Sequence, residues 1–232
     1  MIRIVSWNCN QGLSRKTDRL LELNPDIAVI SEAGRETELG DGQLRRAAWA
    51  GRSETKGLAV FVRDGVEADV DASWDDEREW FLPIRTDLDD GLGVLAVWAS
   101  YGGSEPRSKW VRTLSALQHY RDFLASHRVV VIGDFNNNAL WDTTTKPVFG
   151  SITDELDSSG YESVYHARTG ETHGEESAAS FYHQRNPKKP YLIDHAFIPR
   201  DWVGLVADFK IGHADDWLEY SDHMPLTLDL AV

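Results

Sequence analysis

Short runs of apolar residues, each ending at a polar or turn-forming residue, recur along the whole chain. They predict strands at residues 2–7, 26–32, 56–63, 80–85, 93–100, 129–132, 191–198 and 224–230. Most of these runs are almost entirely apolar, which is typical of strands that are buried on both faces. The turn formers at 87–91 predict a hairpin between the fourth and fifth runs.

Helical spacing of apolar residues is much rarer. Its clearest instance follows Ser108, which can cap a helix. The apolar residues that recur there are Val111, Leu114, Leu117 and Leu124. Short helices are also predicted at 17–23 and 153–158, whereas 34–55 and most of 137–174 are predicted to be loop.

This pattern of about nine strands and few helices predicts an α+β fold. We expect a four-layer α/β sandwich, in which two mixed β-sheets pack face to face and the helices lie outside. The chain has no internal repeat, low-complexity tract or linker that would divide it. We therefore expect a single domain over residues 1–232.

The composition is that of an ordinary globular protein, since 41% of the 232 residues are hydrophobic and 27% are charged. Cys9 is the single cysteine, which excludes internal disulfides and cysteine-rich metal sites. The chain opens with a strand rather than a charged leader, and its apolar runs are too short to span a membrane. We expect a cytoplasmic monomer with no membrane insertion.

The net charge of −14 argues against a broad, tight grip on nucleic acid, because such binding depends on Lys and Arg that neutralise phosphates. It does not exclude a nuclease. Turnover needs only a local basic rim, and clustered carboxylates are what a hard divalent cation binds.

Carboxylates and amides stand where the apolar runs end. The run at 129–132 stops at Gly133, which lets the backbone turn sharply. Asp134 and Asn136 therefore emerge together from the end of a rigid strand. Polar groups held on a rigid element are suited to stabilising a charged transition state.

The same relation to strand ends recurs elsewhere in the chain. Asn8 and Glu32 end two strands that a short helix joins, so both ends should lie at one edge of a sheet. The full set is Asn8, Glu32, Asp134, Asn136, Asp194, Asp222 and His223. Any one of them alone is more often a cap or turn residue, but seven in this relation indicate a site.

Five short motifs carry this set: Ser6-Trp7-Asn8, Ile30-Ser31-Glu32, Gly133-Asp134-Phe135-Asn136, Leu192-Ile193-Asp194-His195 and Ser221-Asp222-His223. In their order and approximate spacing the chain resembles the endonuclease/exonuclease/phosphatase superfamily. That superfamily includes deoxyribonucleases, abasic-site endonucleases and inositol-phosphate phosphatases. The resemblance runs from residue 4 to residue 228 and implies a metal-dependent hydrolase of phosphoester bonds.

The resemblance implies roles for the residues on the metal side of the site. Glu32 would be the principal ligand of Mg²⁺ or Mn²⁺, with Asn8 as its neighbour. Asp222 would serve the metal region or a second, weaker metal position. These oxygen donors suit a hard cation.

On the catalytic side, the resemblance implies that Asp134 orients or deprotonates the attacking water and that Asn136 donates to the phosphate. His223 would donate to the developing charge on the phosphate. Asp194 would pair with His223 and favour the imidazolium.

Two departures and one similarity bear on the substrate. Ser31 precedes Glu32 where the superfamily often has glutamine, and Tyr101 stands where some branches have histidine. A tyrosine there is similar to the exonuclease III and abasic-endonuclease branch, in which its hydroxyl contacts phosphate; packing within the loop is the alternative. Lys56-Gly57-Leu58-Ala59 is similar to nuclease branches, although Gly57 could simply begin a strand.

A basic loop just before Asp194 is a candidate for substrate binding. It contains Phe181, Tyr182, Arg185, Lys188 and Lys189. An aromatic pair beside positive charge suits a stacked base next to a phosphate backbone. A solvated loop is the alternative.

The remaining histidines contribute no further prediction. His195 lies within a strand and is expected to be packed. No spacing typical of zinc ligands is found among the others, which are His119, His127, His166, His173, His183 and His213.

Three functions remain open at this point. DNA phosphodiester cleavage, by an endonuclease or exonuclease, is favoured by Tyr101 and the basic loop. A phosphatase or phosphodiesterase acting on a small soluble or lipid-derived phosphate is favoured by the negative charge and the short loops. A binding protein without catalysis is the third, although all seven site residues have the competent identity.

Overall fold

Two mixed β-sheets form the centre of the protein. A computed structural model describes residues 1–100, 109–126, 128–145 and 148–232. Numbered along the chain, the strands are β1 (Ile2–Asn8), β2 (Ile27–Ala33), β3 (Glu38–Leu39), β4 (Leu44–Ser53), β5 (Lys56–Arg63), β6 (Ala68–Val70), β7 (Phe81–Thr86), β8 (Gly93–Trp98), β9 (Val129–Asp134), β10 (Tyr161–Ser163), β11 (Phe181–Tyr182), β12 (Pro190–Tyr191), β13 (Asp194–Pro199), β14 (Val206–Ile211) and β15 (Leu226–Leu230). The first sheet has the order β14-β15-β1-β2-β5-β4-β3 and the second β10-β13-β9-β8-β7-β6, while β11 and β12 form a separate hairpin.

The helices are α1 (Thr17–Leu21), α2 (Lys109–His119), α3 (Arg121–Leu124), α4 (Val148–Ser158), α5 (Val164–Thr169) and α6 (Ala214–Trp217). Leu20 of α1 and Trp217 of α6 pack on the first sheet, and Leu117 of α2 and Ile152 of α4 pack with residues of the second. The predicted α/β sandwich of two mixed sheets is confirmed. No helix in the described part of the chain is both long and apolar enough to cross a membrane.

The burial of β1 explains why the strand reads as a continuous apolar run. Ile2 and Ile4 lie in the core between the sheets, whereas Val5 and Trp7 lie in the second cluster, with the side chains of α1 and α6. Successive side chains of a strand point to opposite faces, so a sheet covered on both sides needs apolar residues at every position. β2 and β5 alternate in the same way.

The prediction that residues 34–55 are loop is wrong. Most of this stretch forms β3 and the ten-residue β4, which pairs antiparallel with β5. Its inward positions carry only the small Ala48 and Ala50, and the register shifts between Arg46 and Ala48. Small inward residues and a bulge remove the period of two by which a strand is recognised.

Other elements differ in extent from their predictions. The edge strand β14 and the helix α5 were predicted as neither strand nor helix, and α4 begins at Val148 rather than at 153. The clearest predicted helix is divided at Tyr120 into α2 and α3, and its expected cap Ser108 lies outside the described residues. The last strand begins at Leu226 instead of 224.

Strand pairing brings polar strand ends together within each sheet. In the first sheet β1 and β2 run parallel, with Asn8 opposite Ser31, so that Glu32 follows directly. In the second sheet Asp194 of β13 lies opposite Asp134 of β9. Because β1 and β2 pack across β9, the polar ends of both sheets meet at one rim.

Candidate active site

Asp134 is the buried centre of a hydrogen-bond network at this rim. Its Oδ1 accepts from the Asn136 backbone N–H at 2.8 Å, and its Oδ2 accepts from the Asn136 and Asn8 side-chain amides at 2.7 and 3.0 Å. Asn136 takes the left-handed conformation with φ 51°, which turns its amide back onto the carboxylate. The three donors fix both oxygens of a carboxylate that is only 1% exposed.

Gly133 allows the chain to reach this position. Its φ is 152°, and a Cβ added there would lie 1.9 Å from the Val97 carbonyl oxygen of the neighbouring strand β8. Only glycine fits such a close approach of two backbones. The sharp turn expected at this residue is not observed, because β9 continues through Gly133 to Asp134. Glycine is required there by the close approach of β8.

His223 and Asp194 form a buried pair beside Asp134. His223 Nδ1 donates to Asp194 Oδ2 at 2.9 Å. Burial alone would lower the pKa of His223, but the negative charges of Asp194, Asp134 and Asp222 outweigh it and raise the pKa to about 9. The imidazole is therefore a cation at neutral pH and can donate to an anionic group.

Two serines hold this pair, and neither was among the predicted site residues. Ser180 Oγ donates to Asp194 Oδ2 at 2.7 Å and accepts from the backbone N–H of Ile193 and Asp194. Ser221 Oγ donates to the Asn8 carbonyl at 2.7 Å and accepts from the His223 backbone N–H at 3.0 Å. The signal that could have found Ser221 is its position in the last motif, whereas Ser180 carries no motif at all.

Glu32 lies at a bulge that aims its side chain away from the regular strand. Its φ is 61°, and the pairing of β2 with β5 shifts register between Ser31 and Ala33. Glu32 Oε1 forms an ion pair with Lys56 Nζ at 3.0 Å. Glu32, the predicted metal ligand, and Lys56, a predicted substrate-binding residue, are thus neighbours on the first sheet.

The residues predicted as metal ligands offer oxygen donors only. Asn8 Oδ1 accepts from the Asn10 backbone, and Asp222 Oδ1 accepts from the Asn10 side chain at 3.0 Å. Together with the Glu32 carboxylate, this donor set fits a hard divalent cation, which prefers oxygen and retains several waters. The three residues at this rim whose donor atoms lie within 4.8 Å of one another are not the predicted ligands. Among the described residues they are Asp134, Asp194 and His223.

The predicted basic loop contributes an aromatic wall to the site. Phe181 pairs with His223 in an isolated β-bridge, and their ring centroids lie 4.6 Å apart. The Tyr182 backbone N–H donates to the Asp222 carbonyl at 2.8 Å. Phe181 therefore borders the Asp194–His223 pair, whereas the Tyr182 side chain packs against the second core cluster.

The cations of this loop lie farther along the hairpin. Arg185 Nη1 donates to the Glu219 carbonyl at 3.0 Å, and Lys188 is exposed. Arg185 is thus partly used within the protein, whereas Lys188 faces solvent. Tyr101, the remaining candidate, lies outside the described residues.

Sequence comparison alone does not place the chain in a family. A scan against protein-family models finds no match. A search of curated protein sequences finds no significant match either.

Comparison of structures does find neighbours. The 3′ phosphatase NExo from Neisseria, bound to a product DNA hairpin, has 18% sequence identity and a TM-score of 0.73, and the match covers 99% of each chain. An AP endonuclease from Archaeoglobus fulgidus has 17% identity and a TM-score of 0.69 over 100% of each chain. The AP endonuclease LMAP from Leishmania major has 12% identity and a TM-score of 0.73, covering 98% of this chain and 86% of its own.

At these identities the likeness establishes the fold. The matches span nearly the whole chain, and both sheets of the sandwich are included in that span. The protein therefore has the fold of these AP endonucleases and of the 3′ phosphatase, in agreement with the fold that its five motifs imply.

Proposed function

We propose that the protein is a divalent-metal-dependent phosphodiesterase, and that its substrate is DNA. One observation carries this proposal. The Asp134 carboxylate and the buried Asp194–His223 pair have donor atoms within 4.8 Å of one another, at the rim where Asn8 and Asn136 also converge. A fixed carboxylate that faces a cationic imidazole suits attack of water on an anionic ester.

Each side chain then has a separate task in the reaction. Asp134 orients the attacking water and accepts its proton, since the Asn8 and Asn136 side-chain amides hold its Oδ2 and the Asn136 backbone N–H holds its Oδ1. His223 donates to a phosphoryl oxygen as negative charge develops there. Asp194 keeps the imidazole oriented and charged, because it accepts from Nδ1 and leaves Nε2 for the substrate.

The cation belongs on the Glu32 side of the rim. Glu32, Asn8 and Asp222 supply oxygen donors, which favour Mg²⁺ or Mn²⁺ over softer metals. A bound cation of this kind would stabilise charge on the phosphate and on the leaving oxygen. Lys56, paired with Glu32 at 3.0 Å, would stand next to it and contact the substrate phosphate.

The surroundings of the site favour a nucleic acid over a compact phosphate. Phe181 lies against His223, and beyond it Trp141 contacts Tyr191 with ring centroids 5.2 Å apart and the ring planes tilted by 51°. Trp141 is 45% exposed, which is a large exposed fraction for a tryptophan. The exposed Trp141 ring and the exposed Lys188, on the loop between β11 and β12, would provide stacking and charge for bases and backbone.

The structural neighbours support the same substrate. One is described as a 3′ phosphatase bound to a DNA hairpin, and two others as AP endonucleases. Cleavage of DNA at an abasic site and removal of a 3′ phosphate both use the chemistry derived above. A monomer in the cytoplasm remains our proposal for the state in which the protein acts.

A phosphatase of small phosphoesters is the second candidate, and the net charge of −14 favours it. Salt distinguishes the two. DNA cleavage that depends on Lys and Arg contacts with phosphates weakens steeply as salt rises, whereas turnover of a small ester is nearly insensitive to salt.

The test is a cleavage assay with Mg²⁺ or Mn²⁺ on plasmid DNA, an abasic-site duplex, a 3′-phosphorylated duplex, single-stranded RNA and a generic phosphodiester. We expect metal-dependent cleavage of DNA that Asp134→Asn abolishes. Cleavage of the small ester alone would support the second candidate. If no substrate is cleaved and no divalent cation binds, the protein is a binding protein with this fold.

A further inference from the structure

A second cluster of potential ligands lies outside the active site. His166, on α5, and His173 and Glu176, on the loop that follows, each offer one donor atom, and these atoms lie within 4.8 Å of one another. His166 Nε2 and Glu176 Oε1 are 3.2 Å apart, about the separation of two ligands on one tetrahedral ion. None of the three belongs to the five motifs or to the rim.

His173 is incompletely satisfied where it lies. Its Nδ1 is buried and has no hydrogen-bond partner among the described residues. Its ring lies on that of His166, with centroids 3.6 Å apart, and at the edge of Phe149. Leaving a buried polar atom unpaired is costly, so the position calls for a partner that the described chain does not provide.

The other two members are oriented by neighbours. His166 Nδ1 and Ser163 Oγ are hydrogen-bonded at 2.7 Å, which leaves Nε2 directed at Glu176. Glu176 Oε1 accepts from the Gly174 backbone at 2.9 Å, and its Oε2 accepts from Asn138 Nδ2 at 3.1 Å. Metal-binding histidines and carboxylates are held in this way by partners on their second polar atom.

An ion can reach the cluster from solvent. A surface cleft of about 630 Å³ is lined by His166 and His173. Asp154, Asp157 and Glu162 also line it, together with Arg200, which pairs with Asp157 and Glu162, so the lining keeps a net negative charge. The cleft gives the entry path that a metal site needs.

We propose that His166, His173 and Glu176 form a second metal site, which binds a borderline transition-metal ion such as Zn²⁺. Two imidazoles and one carboxylate suit Zn²⁺ or Co²⁺, in contrast to the oxygen-only donors around Glu32. Water in the cleft would complete a tetrahedron. The proposal stands whether or not the protein is a nuclease.

The site has a structural purpose that the contacts define. Asn138 donates to Glu176 and also to the Leu192 carbonyl at 2.8 Å, and it follows Asn136 by two positions. A metal bound to Glu176 would fix that carboxylate and, through Asn138, the loop that carries Asn136. The second metal therefore positions the active-site loop without contacting the substrate.

The experiment is a Co²⁺ titration of the chelator-stripped, full-length protein in excess Mg²⁺, followed by visible absorption, with Zn²⁺ used as competitor. We expect wild type, Glu32→Gln and the exposed control His213→Asn each to bind one equivalent of Co²⁺, with the absorption spectrum of a low-coordinate, nitrogen-ligated ion. His173→Asn should lose the spectrum, and Ser163→Ala should weaken binding by about tenfold or more.

A thermal melt of each stripped protein shows whether a variant has folded, and Zn²⁺ should raise the Tm of wild type and of Glu32→Gln but not of folded His173→Asn. If His173→Asn unfolds, Glu176→Gln provides the same comparison. Equal Co²⁺ binding by wild type and the folded cluster variants, or no tight binding by wild type, would overturn the proposal.

Discussion

His223 Nδ1 donates to Asp194 Oδ2 over 2.9 Å, and neither side chain is more than 6% exposed. Because the carboxylate is the nearest negative charge, Asp194→Asn should lower the pKa of His223 from about 9 by at least about one unit. NMR titration of the ¹⁵N-labelled imidazole, in chelator to exclude metal, measures this. An unchanged pKa would assign the shift to other charges.

The same pair predicts how stability depends on pH. The folded-state pKa of His223 is raised from an ordinary value of 6.5 to about 9. Protonated His223 therefore adds stability that is complete below the ordinary pKa and is lost as pH rises through about 9. Urea unfolding across this range should show the loss in wild type and a smaller one in His223→Asn. Equal losses would contradict the assignment.

Removal of the Lys56 charge should change the affinities for Mg²⁺ and for DNA in opposite directions. Its ammonium lies 3.0 Å from Glu32 Oε1, so Lys56→Met should free that carboxylate and tighten Mg²⁺ binding by about two- to fivefold. Loss of one phosphate contact should weaken DNA binding and lower its salt slope by about one. Calorimetry and binding at several salt concentrations test both. Lys210→Met, at an exposed lysine of β14, should change neither.

Asn136→Ala should lower turnover by about 10²- to 10³-fold, since it removes the donor to Asp134 and the proposed donor to the substrate. Asn24 is a matched control because it is an exposed asparagine with nearly the same backbone, φ 49° against 51°. Asn24→Ala reports the cost of alanine in that conformation alone. Comparable activity losses in the two variants would mean that Asn136 acts only through the backbone.

Gly133→Ala should destabilise the fold by at least about 3 kcal/mol, because the new Cβ would lie 1.9 Å from the Val97 carbonyl oxygen. Gly65 also has a positive φ, 84°, but a Cβ there would have nothing within 4 Å. Gly65→Ala should cost only about 1 kcal/mol. Urea unfolding of both variants compares them, and similar costs would contradict the close approach.

The polar ends of the buried strands were predictable because a strand buried on both faces is a continuous apolar run. Asp134 is the first polar residue after the apolar run of β9, and Asn8 ends β1, where Arg3 and Ser6 interrupt the apolar run. The pairing of β1 with β2 and of β9 with β13 then brings these ends to one rim. The roles of the individual residues remain predictions, as does the single domain over 1–232.

Features that depend on contacts between distant segments were not predictable. Ser180 matters because its hydroxyl bonds Asp194, fourteen positions away, and an isolated serine gives no sign of that. The cluster of His166, His173 and Glu176 combines a helix with a loop, at a spacing that no zinc motif uses. Strand β4 was missed because small alanines and a bulge hide its inward face.

The hydrogen bond from Asn8 to Asp134 joins residues of two different sheets at 3.0 Å. Asn8, Glu32 and, just before β15, His223 therefore belong to the first sheet, and Asp134 and Asp194 to the second. The thickness of the apolar layer between the sheets sets the distance between these two groups. A larger or smaller side chain deep in that layer would change the distance between the site residues, and so the proposed reaction, without contacting the substrate. Mild warming that loosens this layer should lower the proposed activity before the chain unfolds, because the interior of the sandwich sets the spacing of the candidate active site.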